Sequence, residues 1–223
     1  MTCNSCKSPC VKNGFQINGK QRYYCKNCKK HQQKAYQYKA YLPEINFLIY
    51  KLVINSSGIC DISRVLCISK NTVKFRLLKL ASLIKKPIIY EAFQSYEIDE
   101  LHTKINGKRK CVVYAINRKT KQVIDFSVGS RSNDTISKVT DTVLLLNPKR
   151  IYTDGWSSYK SLVPKAIHRV IKSQTNTIER FNLNLRTHLK RLSRKTLCYT
   201  KSKVVLDAIL RLYFWGTQLN FKT

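Results

Sequence analysis

Acidic residues are scarce in this chain, which has 12 Asp and Glu against 42 Lys and Arg among 223 residues. Asp99 falls within a predicted strand, Asp154 directly follows a short apolar strand, and Glu179 lies in the first turn of a predicted helix. Because grouped carboxylates repel one another, three of them converge only where a cation is bound. Oxygen ligands favour Mg²⁺ or Mn²⁺, and a pair of such ions roughly 4 Å apart promotes phosphoryl transfer. We therefore predict that Asp99, Asp154 and Glu179 are catalytic residues that bind magnesium or manganese.

Any one of these acids can also be interpreted as a surface carboxylate. We expect that role for the other acids of the same region, which are Glu100, Asp125, Asp134 and Asp141.

Two pairs of cysteines near the N-terminus form a second candidate metal site. Cys3 and Cys6 are separated from Cys25 and Cys28 by eighteen residues, which is the spacing of a four-thiolate zinc ribbon. So small a module has little apolar core, and a bound metal would supply its folding energy. We predict that these four cysteines bind Zn²⁺, with Cys10 and His31 as spare candidates. The alternative is that the cysteines are unpaired or form disulfides.

The composition indicates a polyanionic partner. A formal charge of +30 would cause strong self-repulsion unless a polyanion neutralised it, and nucleic acid is the obvious one. No run of eighteen apolar residues and no apolar leader stretch is present, so we expect a soluble protein of the cytoplasm that does not bind membranes. The codon bias of an AT-rich genome could account for part of the lysine excess, but not for the positions of the acids.

Three modules are predicted to position these residues: a zinc ribbon over residues 1–33, a helix-turn-helix over 40–86 and a catalytic domain over 94–223. Apolar residues recur at helical spacing from Pro43, and two further helices follow with a tight turn before the third. The third helix would direct basic and polar residues towards a major groove of DNA. Those predicted DNA-binding residues are Lys70, Asn71, Lys74 and Arg76. The alternative is an ordinary helical bundle with a basic surface.

The order of elements in the rest of the chain predicts a ribonuclease H-like fold. The complete protein is therefore expected to be of mixed α+β and α/β class. Three antiparallel strands from about residue 95 are followed by helix, strand, helix, strand and helix. In that topology the first strand is central and the fourth lies beside it, which brings Asp99 next to Asp154. Long helices are expected over about 177–192 and 202–219, and the last strand over 167–171.

Three stretches of the sequence resemble the insertion sequence 1 transposases, which belong to the DDE class. They are the Asp99–Glu100 pair, YTDGWSSY at 152–159, and TIERFNLNLR at 177–186 continuing through RLSRKT at 191–196. The resemblance implies that Asp99, Asp154 and Glu179 are the catalytic acids and that Arg186, seven residues after Glu179, contacts DNA. We predict further DNA contacts at Arg191, Arg194 and Lys195.

One departure from the family pattern is His102, which replaces a tryptophan three residues after the first aspartate; we leave it unassigned. His168 and Lys172 match a similar family pair, although a structural role is the simpler interpretation for the histidine.

The leading hypothesis is a transposase that binds the inverted-repeat ends of a mobile element, cleaves the 3' ends and joins them to target DNA. Because two ends must be held together, we expect a homodimer or a larger assembly on double-stranded DNA. The alternatives are a zinc-ribbon and helix-turn-helix repressor without catalysis, and a ribonuclease H-like nuclease or resolvase.

Overall fold

The computed structural model describes residues 1–17, 19–34, 38–89, 91–170 and 176–221. The chain forms two compact units, Met1–Ile45 and Asn46–Thr223. None of the helices within these ranges is long and apolar enough to cross a membrane.

The first unit contains a three-stranded antiparallel sheet. Its strands are β1 (Cys10–Phe15), β2 (Gln21–Cys25) and β3 (His31–Gln33), in the order β1-β2-β3. A 3-10 helix follows at Lys39–Tyr41. The buried apolar side chains among its described residues are Cys3, Cys25, Ala40 and Ile45, which is too few for an ordinary hydrophobic core.

Three helices begin the second unit: α1 (Ile45–Ile54, whose first residue still belongs to the first unit), α2 (Ile59–Leu66) and α3 (Lys70–Ser82). The turn between α2 and α3 is short because Cys67 adopts a left-handed conformation, with φ of 53°, and Ser69 caps α3 by accepting a hydrogen bond from the amide of Thr72 at 3.1 Å. The third helix starts where the sequence predicts, whereas α1 begins two residues after Pro43.

A five-stranded mixed sheet forms the centre of the second unit. Its strands lie in the order β6-β5-β4-β7-β8. In chain order they are β4 (Ser95–Ile105), β5 (Lys108–Asn117), β6 (Val123–Gly129), β7 (Arg150–Thr153) and β8 (His168–Val170). Strand β5 is antiparallel to β4 and β6, while β4, β7 and β8 are parallel. The predicted topology is therefore confirmed, with the first strand of the sheet central and the fourth beside it. Ile171, the predicted end of the last strand, lies outside the described residues.

Helices cover both faces of this sheet. They are α4 (Asn133–Leu144), α5 (Ser157–Leu162), α6 (Asn176–His188) and α7 (Lys203–Trp215). One face packs against α4 and α5 through a core that includes Ile98, Val113, Ile136 and Tyr159. On the opposite face, aromatic rings of the sheet meet rings of α6 and α7; these rings are Tyr114, Phe126, Phe181, Phe214 and Trp215.

The last two helices are shorter than predicted. After α6 the chain forms a 3-10 helix at Lys190–Leu192, and after α7 another at Gly216–Gln218. The amide of Lys190 donates a hydrogen bond to the hydroxyl of Ser56 at 2.7 Å, so tertiary contact replaces the regular helical bond at this point.

Helices α1–α3 belong to the same compact unit as the sheet, although the sequence predicted separate domains over 40–86 and 94–223. Helix α3 packs against α7, and the guanidinium of Arg191 donates to the carbonyl of Ser57 at 3.2 Å. In the connecting segment, Lys86 forms an ion pair of 2.7 Å with the buried Asp125. Lys86 and Pro87 therefore end a helical segment, but the helices before them and the elements after them remain in contact.

Candidate active site

Three carboxylates converge at the junction of β4 and the end of β7. Oxygen atoms of Asp99, Glu100 and Asp154 lie within 4.8 Å of one another. Two of the three predicted catalytic acids are therefore adjacent, as the topology requires. The third member of the group is Glu100, which the sequence analysis treated as a surface residue.

Asp99 is held from two sides. Its Oδ1 accepts a hydrogen bond of 2.8 Å from the backbone amide of Glu100, and its Oδ2 accepts one of 2.6 Å from the side-chain amide of Asn182. Burial raises the pKa of Asp99, while these two hydrogen bonds oppose the rise and the charge of Asp154 adds to it. The carboxylate is thus oriented before any ligand binds.

Glu100 was wrongly expected at the surface, since only 7% of it is exposed. It follows Asp99 on β4 and projects from the opposite face of the sheet. Burial and then the charge of Asp154 raise its pKa to about 7. Its Oε2 lies 3.8 Å from Arg131, which stacks on the ring of Trp156, while Oε1 is buried without a hydrogen-bond partner in the described part of the chain. Carboxylate oxygens within 4.8 Å of one another, one residue of the group having a buried oxygen without a hydrogen-bond partner, are donors that suit a divalent cation.

Of the three other acids expected at the surface, two are exposed and one is buried. Asp134 and Asp141 are exposed, as predicted. Asp125 is 2% exposed and pairs with Lys86, because β6 directs it inward where Thr142 also donates to it at 2.7 Å.

Asp154 is exposed at the end of β7, and its Oδ1 accepts a hydrogen bond of 3.0 Å from the amide of Trp156. The preceding residue, Thr153, is bonded to His168 Nε2 at 2.8 Å, and its hydroxyl donates to the carbonyl of Asp154 at 2.8 Å. His168 therefore has the structural role that we expected, fixing the strand end that carries Asp154. Lys172, its predicted companion, lies outside the described residues.

Glu179 is exposed in the first turn of α6 and is not in the 4.8 Å group of acids. The face of α6 that carries Glu179 nevertheless points toward the acidic group. Asn182, one turn after Glu179 on that face, contacts Asp99, and Arg186 follows after another turn.

Arg186 lies beside the acidic group. Its pKa is lowered by burial and by the charge of Arg194, and the charge of Asp99 acts in the opposite direction. The Nε of Arg186 is buried and has no hydrogen-bond partner among the described residues. The charge of Arg186 therefore lies close to Asp99 at the edge of the acidic group.

A hydrogen-bonded chain of Tyr114, Asn182 and Asp99 joins the sheet to α6. The hydroxyl of the fully buried Tyr114 donates to Asn182 Oδ1 at 2.8 Å, which fixes the orientation of the amide so that its Nδ2 faces Asp99. Tyr114 is the direct cross-strand neighbour of Asp99 on β5. None of the supporting residues was predicted to belong to the site; they are Glu100, Tyr114, Arg131 and Asn182. Glu100 and Asn182 both lie in stretches that resemble the family, and Asn182 also shares a helical face with Glu179, three residues before it.

In the N-terminal unit, the four predicted cysteines form one group. The sulfurs of Cys3, Cys6, Cys25 and Cys28 lie within 4.8 Å of one another, with Cys3–Cys28 and Cys6–Cys25 separations of 3.4 Å. A tetrahedral Zn²⁺ with bonds of about 2.3 Å requires sulfurs about 3.8 Å apart, so the donor set suits zinc. Hydrogen bonds from Ser8 lower the pKa of Cys6 to about 6, whereas the hydrogen bond with Cys3 and burial raise the pKa of Cys28.

Neither spare zinc ligand belongs to that group. Cys10 accepts a hydrogen bond of 2.8 Å from Gln32, and the His31 ring packs against Tyr24 at 4.9 Å.

The predicted DNA contacts fall into two classes. Exposed side chains are Lys70, Asn71, Lys74, Arg194 and Lys195. Arg76 is partly buried and donates to Asn46 at 2.9 Å. Arg191 differs most from its prediction, because it is 8% exposed and its guanidinium bonds to Ser57 and Thr200 inside the chain. This geometry gives Arg191 a structural role.

Known proteins were compared with the chain. The catalytic core domain of HTLV-2 integrase in complex with magnesium is 20% identical and has a TM-score of 0.37 over 59% of this chain and 89% of that chain. This score is low, and the fold assignment here rests on the strand order. The iso-IS1n protein InsB of Shigella dysenteriae is 34% identical over 116 residues, which are 51% of this chain and 88% of the relative. The InsB protein of insertion element IS1 4 from Escherichia coli K12 is 35% identical over 131 residues, or 56% and 74% of the two chains.

A family model described as IS1 transposase matches residues 92–219, from just before β4 to just after the end of the last helix. The match includes every acid of the candidate site. Since it covers more than half of the sequence, the chain belongs to the IS1 transposase family, whose members are DDE-type enzymes.

Proposed function

We propose that this transposase cleaves the 3' ends of its element and joins them to target DNA at a site formed by Asp99, Asp154 and Glu179. The observation that carries the proposal is the convergence of the carboxylates of Asp99, Glu100 and Asp154 in a chain of formal charge +30. A bound cation would offset the repulsion among these acids. A polyanion such as DNA would offset the positive charge of the chain around them.

Asp99 and Asp154 would hold Mg²⁺ or Mn²⁺, with Glu179 as the third ligand. When bound, a pair of such ions activates the attacking oxygen and stabilises the leaving oxygen of a phosphodiester. Asn182 orients Asp99 by its hydrogen bond of 2.6 Å, and the partly exposed Arg186 would bind a DNA phosphate beside the acids. Because Asn182 lies one helical turn from Glu179, the docking of α6 on Asp99 also determines how close Glu179 can come.

We further propose three functional modules. Residues 1–33 would form a zinc ribbon held by Cys3, Cys6, Cys25 and Cys28, and residues 40–86 a helix-turn-helix that reads the inverted repeats. The exposed Lys70, Asn71 and Lys74 in the first turns of α3 support that reading. Residues 94–223 would carry the catalysis.

Two element ends must be joined in one reaction, so a homodimer or larger assembly is required. The working location would be the bacterial cytoplasm, on nucleoid DNA. Family membership does not favour the repressor alternative.

The test is a gel assay with the purified full chain and a labelled duplex that carries the inverted repeat flanking the gene. In Mg²⁺, the Asp154→Asn variant should lose about a thousandfold in cleavage rate, because each decade corresponds to about 1.4 kcal/mol and a metal site contributes several. Binding of the duplex should change less than about twofold, since most phosphate contacts come from other residues.

The matched control is Asp141→Asn, which makes the same charge change at an exposed site on α4. It should cut at the wild-type rate. An Asp154→Asn protein that still cuts normally would refute the catalytic assignment. Cleavage by the wild type without any joined product would favour the nuclease alternative.

A further inference from the structure

A cavity of about 440 Å³ lies alongside strand β4, beyond the acidic group. This volume falls within the range of roughly 300–1,000 Å³ that is typical of ligand sites. Its walls contain five basic residues and no acid, and we refer to it as the basic groove. The basic residues are Lys104, Arg109, Lys110, Arg194 and Lys195.

The walls of the basic groove are fixed by hydrogen bonds at both ends. One wall is the β4–β5 hairpin, in which Lys104 pairs with Arg109. The other is the segment after the 3-10 helix Lys190–Leu192. The Thr103 hydroxyl donates to the carbonyl of Arg191 at 3.4 Å at one end, and the Asn106 amide donates to the carbonyl of Thr200 at 2.9 Å at the other. The groove is therefore part of the fold and not a gap between mobile side chains.

The charge of the groove favours an anion. Lys195 belongs to the second wall and adopts a left-handed backbone conformation, with φ of 51°. Five cations without a carboxylate among them also repel one another. An anionic occupant would remove that repulsion.

The basic groove begins next to the acids. His102, which lines it, lies three residues after Asp99 on β4, or about 10 Å along the strand. Burial, and then the charges of Arg131, Arg186 and Arg194, lower the pKa of His102. Arg131 is the ion-pair partner of Glu100, and Arg186 is close to Asp99, so the groove and the acidic group share their neighbouring cations.

We propose that the basic groove binds the sugar-phosphate backbone of the DNA strand that enters the acidic site. Five cations carry more charge than is required to neutralise a single phosphate ion. The rings of His102 and Tyr199, which also line the groove, offer stacking surfaces for a base. The inference rests on the proposed function and adds to it the path of the substrate strand. It also assigns His102 to that path.

The experiment measures DNA binding by fluorescence anisotropy without divalent ions, so that no strand is cut. The probes are a blunt duplex carrying the inverted repeat that flanks the gene and the same duplex with an unpaired 3' extension. The double variant Lys104→Glu, Arg109→Glu should weaken binding at least about tenfold, and the slope of log affinity against log salt should fall by about 1.5. Circular dichroism and thermal unfolding establish that the variant is folded.

The matched control is Lys119→Glu, Lys165→Glu, which makes the same charge change at exposed positions outside the groove. Lys119 follows β5 at the end remote from the hairpin. A loss of affinity in the groove variant that clearly exceeds the loss in the control supports the proposal. Equal losses, or no loss in the groove variant, would overturn it.

The two probes identify the form of the strand. Equal loss on both probes assigns the groove to paired DNA, whereas loss confined to the extended probe assigns it to an unpaired strand. Because binding is measured without metal, these results are independent of the cleavage assay of Asp154→Asn, and either proposal can fail alone.

Discussion

Cysteines and acids form two candidate metal sites that differ in how the chain assembles them. Each half of the cysteine site comes from one short turn, so that two ligands always arrive together, and all four sulfurs are within 4.8 Å. The acidic site draws Asp99 from β4, Asp154 from the end of β7 and Glu179 from α6, and only the first two have met. A site built by local turns is complete once the turns form, whereas a site built by topology depends on the docking of every element.

The cysteine site gives the largest expected effect. Replacement Cys25→Ser removes one of four ligands, so zinc affinity should fall by more than about a hundredfold, which is the upper limit for loss of a residue that only hydrogen-bonds to a ligand. Since the N-terminal unit has few buried apolar residues, it should unfold as the metal leaves. Zinc content by mass spectrometry and amide exchange of residues 1–34 measure the two effects.

The control for this change is Cys60→Ser, at an exposed cysteine of α2 outside the group. It should retain full zinc content. If Cys25→Ser also retained full zinc content, Cys25 would not be a zinc ligand, and the contrast between the cysteine site and the acidic site would fail.

The acidic site should respond to its supporting residues. Replacement Asn182→Ala removes the hydrogen bond that orients Asp99, so Mn²⁺ affinity, measured by calorimetry, should fall about tenfold or more. Replacement Tyr114→Phe leaves the buried Asn182 oxygen without its donor and should lower the free energy of unfolding by about 1–3 kcal/mol, with a smaller effect on metal affinity.

Asn184→Ala, at an exposed position of the same helix, is the matched control and should change neither quantity. A merely structural role for Asn182 would reduce stability while leaving the Mn²⁺ affinity of the folded chain intact. That outcome would show that α6 does not affect the metal affinity of the acidic site.

The smallest expected effect is on the pH dependence of stability. Glu100 has a pKa of about 7 in the folded chain against an ordinary value of 4.5, so the folded chain retains a proton that the unfolded chain has lost. In EDTA, the free energy of unfolding should therefore decrease by about 1–2 kcal/mol as the pH rises from 5 to 8, allowing for partial solvent screening. Urea titrations measure it, and added Mg²⁺ should stabilise the chain more at pH 8 than at pH 5.

Glu100→Gln should flatten this dependence, while Glu91→Gln, at an exposed position, should leave it unchanged. A Glu100→Gln profile that parallels the wild type would mean that Glu100 is not part of the coupled acidic group.

The two sites also differ in how far the sequence predicts them. The cysteine group could be read from spacing alone, and the adjacency of Asp99 and Asp154 from the order of strands and helices. The burial of Glu100 could not be foreseen, because it depends on Tyr159 and the α5 side of the sheet, which are remote in sequence. Tyr114 is found opposite Asp99 only once the strand register is known, and the burial of Arg191 depends on Ser57, 134 residues away.

The attachment of helices α1–α3 to the sheet has a consequence for where DNA is cut. Ser56 and Ser57 are hydrogen-bonded to the segment that follows α6, and α3 packs on α7, so α3 is attached to the unit that carries Asp99. A base pair held by α3 and a phosphate held by the acids would then be a constant number of base pairs apart. The protein would act as a ruler, and changing the length of residues 83–94 should leave the cut position unchanged.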